Sequence, residues 1–148
     1  MGDVIRPFSQ SQIQDFAARW FQALDRHAPA DELKPLLAGD ALELIVPEDT
    51  FRGFEGFQRW YERAVHLFFD ESHTLKEVRP TGSDGDQLTV KVVVNWTCRY
   101  WTPPEPHSKQ IDMDAFQTWV LRPDAAGQPQ VVRYVVDDVR YAPGSATL

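Results

Sequence analysis

An α+β fold, with N-terminal helices on the concave face of a curved antiparallel sheet, is what this sequence predicts. Three observations carry it. Helical periodicity fills the first half of the chain and strand patterning the second, an order that argues against a parallel βαβ arrangement. Three of the predicted strands, Leu88–Trp101, Ile111–Arg122 and Gln130–Tyr141, are rich in Val, Trp, Tyr, Phe and Thr, which suit a pleated, half-buried surface. These strands are longer than average, which points to a strongly curved sheet rather than a flat one. Helices on one side of such a sheet leave a cone or half-barrel with an open end, a natural small-molecule site.

Met1–Pro7 reads as a short arm. Ser9 then opens a helix: Ser9 and Gln12 have the spacing of a capping box, and Phe8 with Ile13 that of a hydrophobic staple. Ile13, Phe16, Ala17, Trp20, Phe21 and Leu24 mark one helical face, and Pro29 ends the helix near His27. Asp31 is positioned to cap a short helix, Glu32–Leu37, which Gly39 stops. Ala41–Val46 is a brief strand, followed by a turn at Pro47-Glu48-Asp49. A third helix covers about Phe54–Phe69, with Phe57, Trp60, Tyr61, Ala64, Leu67 and Phe68 on its buried side. Ser72–Arg79 is a strand and Thr81–Asp86 a turn-rich loop. Thr102–His107 carries three prolines, which cannot join a strand ladder, and Pro123–Pro129 is the last connection. The tail Ala142–Leu148 is small and expected to be loose.

The 148 residues suit one domain, 1–148 with its core at 9–141. Fifteen Lys+Arg against 22 Asp+Glu leave a net charge of −7, which argues against nucleic acid and anionic membrane as partners. The single cysteine, Cys98, excludes an intrachain disulfide and a cysteine-built zinc site. No H-x-x-x-H or H-x-H pair exists, so neither metal nor cofactor is expected. No stretch reaches the ~20 apolar residues of a membrane span, and MGDVIRPFSQ has no apolar signal region. A cytoplasmic protein is the expectation. Five Trp, nine Phe and four Tyr are enough to fill a core, line a pocket and cover a subunit interface.

Three segments resemble one family. They are the helix ending Trp20-Phe21-Gln22-Ala23-Leu24-Asp25, the segment Phe51-Arg52-Gly53 leading to Trp60-Tyr61, and the closing strands ending Arg133-Tyr134-Val135-Val136-Asp137-Asp138. Together they resemble the nuclear-transport-factor-two-like superfamily, SnoaL-like branch, over about Ser9 to Tyr141. The superfamily holds isomerases, dehydratases and cyclases beside non-catalytic binders, so the fold does not settle the function. Register with its ketosteroid-isomerase branch puts Trp20 where that branch carries an oxyanion tyrosine. It puts Asp114 where the branch has a protonated aspartic acid. No aspartate matches the branch's general base, and Glu43 is the nearest carboxylate.

Candidate site residues follow. Asp114 shares a strand face with Phe116; a carboxyl among aromatic residues in a cone would ionise reluctantly and suit acid or base work. The plain alternative is an exposed aspartate near a strand end. Alternation puts Asp137 and Asp138 on opposite faces, and Asp138 is the one expected at the cavity mouth, against a surface pair with Arg140 or Arg99. His66 on the third helix is a candidate helper, against a packing role beside Phe68 and Phe69. His73 opens a strand. Trp20, Tyr61, Trp96, Phe116 and Glu43 are candidate substrate contacts, and Cys98 belongs to the core. Which face of each strand is concave stays open.

Two functions fit. One is a small cofactor-free isomerase, cyclase or dehydratase moving a proton on a small hydrophobic molecule, with Asp114, His66 and Asp138 as its catalytic groups. The other is a non-catalytic ligand-binding or structural protein of the same fold. Apolar residues on both faces of the long strands further lead us to expect a homodimer through the outer sheet face.

Overall fold

The structure is a computed structural model that describes residues 7–148, so the expected arm lies, apart from Pro7, outside the described residues. Three helices and six strands follow in the order α1 Gln10–Asp25, α2 Ala30–Leu33, β1 Glu43–Val46, β2 Asp49–Arg52, α3 Gly53–Leu67, β3 Phe68–Asp84, β4 Gln87–Tyr100, β5 Lys109–Pro123 and β6 Pro129–Tyr141. The strands form one sheet in the order β2-β1-β6-β5-β4-β3. Every pairing is antiparallel except β1 with β6, which runs parallel with Leu44 beside Tyr134. The sheet is therefore mixed, curved and unclosed.

Its curvature has a local cause. Register shifts interrupt β3–β4 at Phe69/Ser72, Leu75/Glu77 and Pro80/Gly82, and β5–β6 at Phe116/Gln117 and Val120/Leu121. Each extra residue bends its strand and raises the local twist. Buried side chains alternate along β4 (Leu88, Val90, Val92, Val94, Trp96, Cys98) and β5 (Ile111, Met113, Ala115, Gln117, Trp119, Leu121). These rows define the concave face.

Helix α1 lies against that face. Ser9 and Gln12 form the capping box, and Phe8 and Ile13 are both buried. Trp20, Phe57, Trp119 and Tyr134 meet inside at ring separations of 5.2 to 5.9 Å. A second, smaller core of Trp96, Cys98, Ile111 and Met113 continues along the face, flanked by Phe68, Tyr100 and Tyr141.

Several elements differ from expectation. The short second helix starts at Ala30 behind Pro29, and Asp31 sits in its first turn instead of capping it. Pro35 then tightens Lys34–Leu36 into a 3-10 turn. Leu67 at the end of α3 is exposed, because Phe68 already begins β3. Much of the expected loop Thr81–Asp86 is strand, and the chain reverses within Gly85-Asp86, where Gly85 takes φ +61. The tail is tied down, since the Ala142 and Ala146 N–H groups donate to Asp112 O and Gln110 O at 2.8 and 2.9 Å.

Candidate active site

The strands put Asp114 and Phe116 on the outer face, opposite the row of Ala115, Gln117 and Trp119 that meets the helices. The larger apolar set takes the interior and the carboxylate goes to water. Asp114 pairs there with Lys76 at 2.8 Å and accepts from Asn95 at 3.1 Å. Those bonds, Lys76 first, hold its carboxyl below the ordinary aspartate range, the reverse of the expected reluctance to ionise. The β5–β6 bulge sets Asp137 and Asp138 both outward instead of on opposite faces. Asp137 accepts from Thr118 at 2.6 Å, and Asp138 lies beside Arg140 at 3.8 Å. Arg140 in turn covers the Phe116 ring at 4.7 Å.

The remaining candidates are scattered, apart from Trp96. His66 is exposed on α3, its Nδ1 donating to Glu62 O at 2.8 Å. Glu43 pairs with Arg52 at 2.8 Å on the β1–β2 hairpin. Trp20 is fully buried, and its indole N–H makes no hydrogen bond of ordinary geometry. It is grouped with Gln117 and Trp119 around the Tyr134 phenol, whose ionisation burial pushes far up. Tyr61 donates to Ala28 O at 2.6 Å, and burial raises its phenol to about 12. Cys98 is likewise raised to about 12, first by burial and then by Glu71, so it is an inert thiol.

A different set converges beside Trp96, where the end of α1 meets the start of β3. Asp25 is the last residue of α1 and lies one turn after Phe21, so both look toward β3. The Asp25 carboxylate accepts the His73 ring Nδ1–H at 2.5 Å and the His73 backbone N–H at 3.0 Å. The His73 ring is held between Phe21 (4.9 Å, 25°) and Trp96 (5.9 Å, 17°). It is 10% exposed. No partner for its Nε2 exists among the described residues. Beside it, Glu71 meets His27 Nε2 and accepts the Trp96 indole N–H at 3.1 Å. Among the described residues, no group of three or more His, Cys, Asp or Glu side chains could hold a metal ion.

This arrangement can do acid–base chemistry. A carboxylate on Nδ1 fixes the tautomer and leaves the Nε2 lone pair as the basic atom. Two flanking rings fix the plane of the imidazole. Trp20, Phe57, Trp119 and Tyr134 pack against one another in the interior, and two surface hollows lie away from His73. One is bounded by Asp86, Arg122, Asp124 and Gln130, and the other, about 140 Å³, by Trp101, Pro103, Pro104 and His107.

The comparisons match this architecture. The model of the SnoaL-like domain matches residues 17–136. The chain belongs to the SnoaL-like family. No curated protein matches the sequence. Among solved structures, the chain is similar to a ketosteroid isomerase-like protein from Erwinia carotovora atroseptica SCRI1043, with TM-score 0.68, 18% identity, and 92% of this chain and 100% of that one covered. It is similar to a proposed scytalone dehydratase from Novosphingobium aromaticivorans DSM 12444 (0.68, 19%, 89% and 83%). It is also similar to the beta subunit of the benzoate 1,2-dioxygenase from Burkholderia mallei ATCC 23344 (0.67, 16%, 92% and 91%). At these identities the likeness is one of fold.

Asp25, His27 and Glu71 are what sequence reasoning missed as site residues, while His73 was placed at the start of a strand without its partner. One signal was available: a carboxylate in the last turn of a helix opposes the macrodipole, and α1 has no basic residue there to offset it. Such a residue needs a tertiary partner. Glu71 left no such trace, because it lies just before the strand that patterning predicts.

Proposed function

We propose that this SnoaL-like protein is an acid–base catalyst acting on a small hydrophobic molecule, as an isomerase, cyclase or dehydratase does. The Asp25–His73 dyad carries the reading. His73 Nε2 takes a proton from substrate carbon, and Asp25 stabilises the imidazolium that forms. Phe21 and Trp96 shape an apolar surround for the imidazole, which suits a hydrophobic ligand. Asp114, His66 and Asp138 have no part in it.

The test is solvent-deuterium incorporation, read by mass spectrometry, over a panel of cyclic ketones and alcohols. His73→Gln should lower the rate by about 100-fold or more. Equal rates in the two proteins would overturn the assignment.

A second reading, a non-catalytic binding or structural protein, is favoured by the ring-filled interior, and by likeness to the beta subunit of a multi-subunit enzyme. Absence of exchange with every panel member would put it ahead.

We also propose that two copies meet through the outer sheet face. Val93, Phe116, Val120 and Val135 are half-buried there, on the face opposite the one that meets the helices among the described residues.

A further inference from the structure

Two non-glycine residues take left-handed backbone among the described residues, His27 at φ 50 and Asp70 at φ 51. His27 contacts Glu71, and Asp70 is the residue just before Glu71. His27 follows the Arg26 cap of α1, where the Ala28 N–H reaches back to Ala23 O and the His27 N–H to Leu24 O. That helix ending normally takes glycine. Asp70 stands in a bulge of β3, where Phe69 pairs with Arg99 and Ser72 with Thr97, so two residues oppose Cys98 alone. The bulge turns Glu71 inward, and its side chain is 9% exposed. A hydrogen bond as such needs no strain at either end. Left-handed backbone at His27 and beside Glu71 is the kind of strain that collects at functional sites.

Both Glu71 oxygens are used. One meets His27 and the other takes the Trp96 indole N–H. The Trp96 ring is the plate against which His73 stacks, and Phe68 meets it nearly perpendicular at 4.9 Å and 78°. Glu71 is therefore one residue removed from the imidazole that Asp25 holds.

We propose that Glu71 is a positioning residue for His73: clamped by His27, it fixes the Trp96 ring and so the plane of the imidazole. The role rests on reading His73 as the proton-transfer group. It assigns to Glu71 and His27 a task that neither performs by touching substrate.

The test uses three variants of the full chain. Glu71→Ala removes both bonds, Glu71→Gln keeps an acceptor for the indole, and Trp96→Phe keeps an aromatic ring but loses the indole and its N–H. The first readout is NMR of the Trp96 indole N–H and the His73 ring protons, with the exposed His66 and His107 as references. Glu71→Ala and Trp96→Phe should shift the His73 signals and leave the references in place, while Glu71→Gln restores them. The second readout is the deuterium-exchange rate, which should fall about tenfold in Glu71→Ala at unchanged KM and largely recover in Glu71→Gln. Unmoved His73 signals overturn the proposal, as does a full exchange rate in a protein whose His73 signals have moved. If the unaltered protein exchanges nothing, the catalytic reading fails, and the NMR readout still decides whether Glu71 orients His73.

Discussion

Asp25 binds His73 twice, once through the ring and once through the backbone, and thereby joins the last residue of α1 to β3. A negative charge at that helix end is unfavourable by about 0.3–1 kcal/mol. A hydrogen bond to a charged group returns about 1.5–3 kcal/mol. Asp25→Asn should therefore destabilise the fold by about 1 kcal/mol, read from urea midpoints. Proton-transfer activity should fall far more than stability, since the wrong His73 tautomer then becomes accessible. An activity loss no larger than the loss of folded protein would contradict the dyad.

His27 and Glu71 make a second prediction. Glycine at 27 relieves the left-handed backbone by about 1 kcal/mol. It also strips a buried carboxylate of a partner, which costs about 1–3 kcal/mol. His27→Gly alone should thus be neutral to destabilising. Combined with Glu71→Gln it should recover, giving a favourable coupling between the two positions. Additive effects in chemical denaturation would show that the contact carries no energy.

Much of the fold was legible because its signals are local: the capping box at Ser9, the period of α1, and the alternation along β4 and β5. The resemblance of three segments was enough to place the family. The site was less legible for three physical reasons. Alternation separates the two faces of β5 without saying which is concave, so Asp114 and Phe116 were expected inside. Bulges break the period of two, so the faces of Asp137 and Asp138 were misread and Glu71 went unseen. The dyad pairs residues 48 positions apart, which no local pattern reveals.

The outer face leads to a third prediction. It mixes half-buried Val93, Phe116 and Val120 with the Lys76–Asp114 and Lys91–Thr118 contacts. Light scattering at micromolar concentration should report a dimer. Phe116→Lys should shift it toward monomer and leave the melting of the monomer little changed. A monomeric parent protein would remove the proposal.

Tyr61 gives a prediction at alkaline pH. Its phenol ionises at about 12 in the fold against an ordinary 10, chiefly through burial. A raised value favours the protonated form, so this stabilisation is complete below pH 10 and is lost as pH rises from 10 to about 12. Tyr61→Phe should flatten the alkaline fall in stability over that window. It also removes the bond to Ala28 O, at about 1 kcal/mol near neutral pH. An unchanged alkaline limb would place the Tyr61 phenol in water.

Asp114 titrates in the opposite sense. Lys76 and Asn95 hold its folded value below the ordinary 3.8, so its contribution is complete above 3.8 and is lost as pH falls through the lower, folded value. The pair with Lys76 is partly exposed, at 49% and 28%, so it is worth no more than about 1 kcal/mol. Asp114→Asn should cost up to that amount at pH 7 and nothing once the pH lies below the folded value, where the parent carboxyl is also neutral. It should leave deuterium exchange untouched, because the side chain points away from His73 across the thickness of the sheet. A large loss of exchange in a well-folded Asp114→Asn protein would move the chemistry to the outer face and displace the Asp25–His73 dyad.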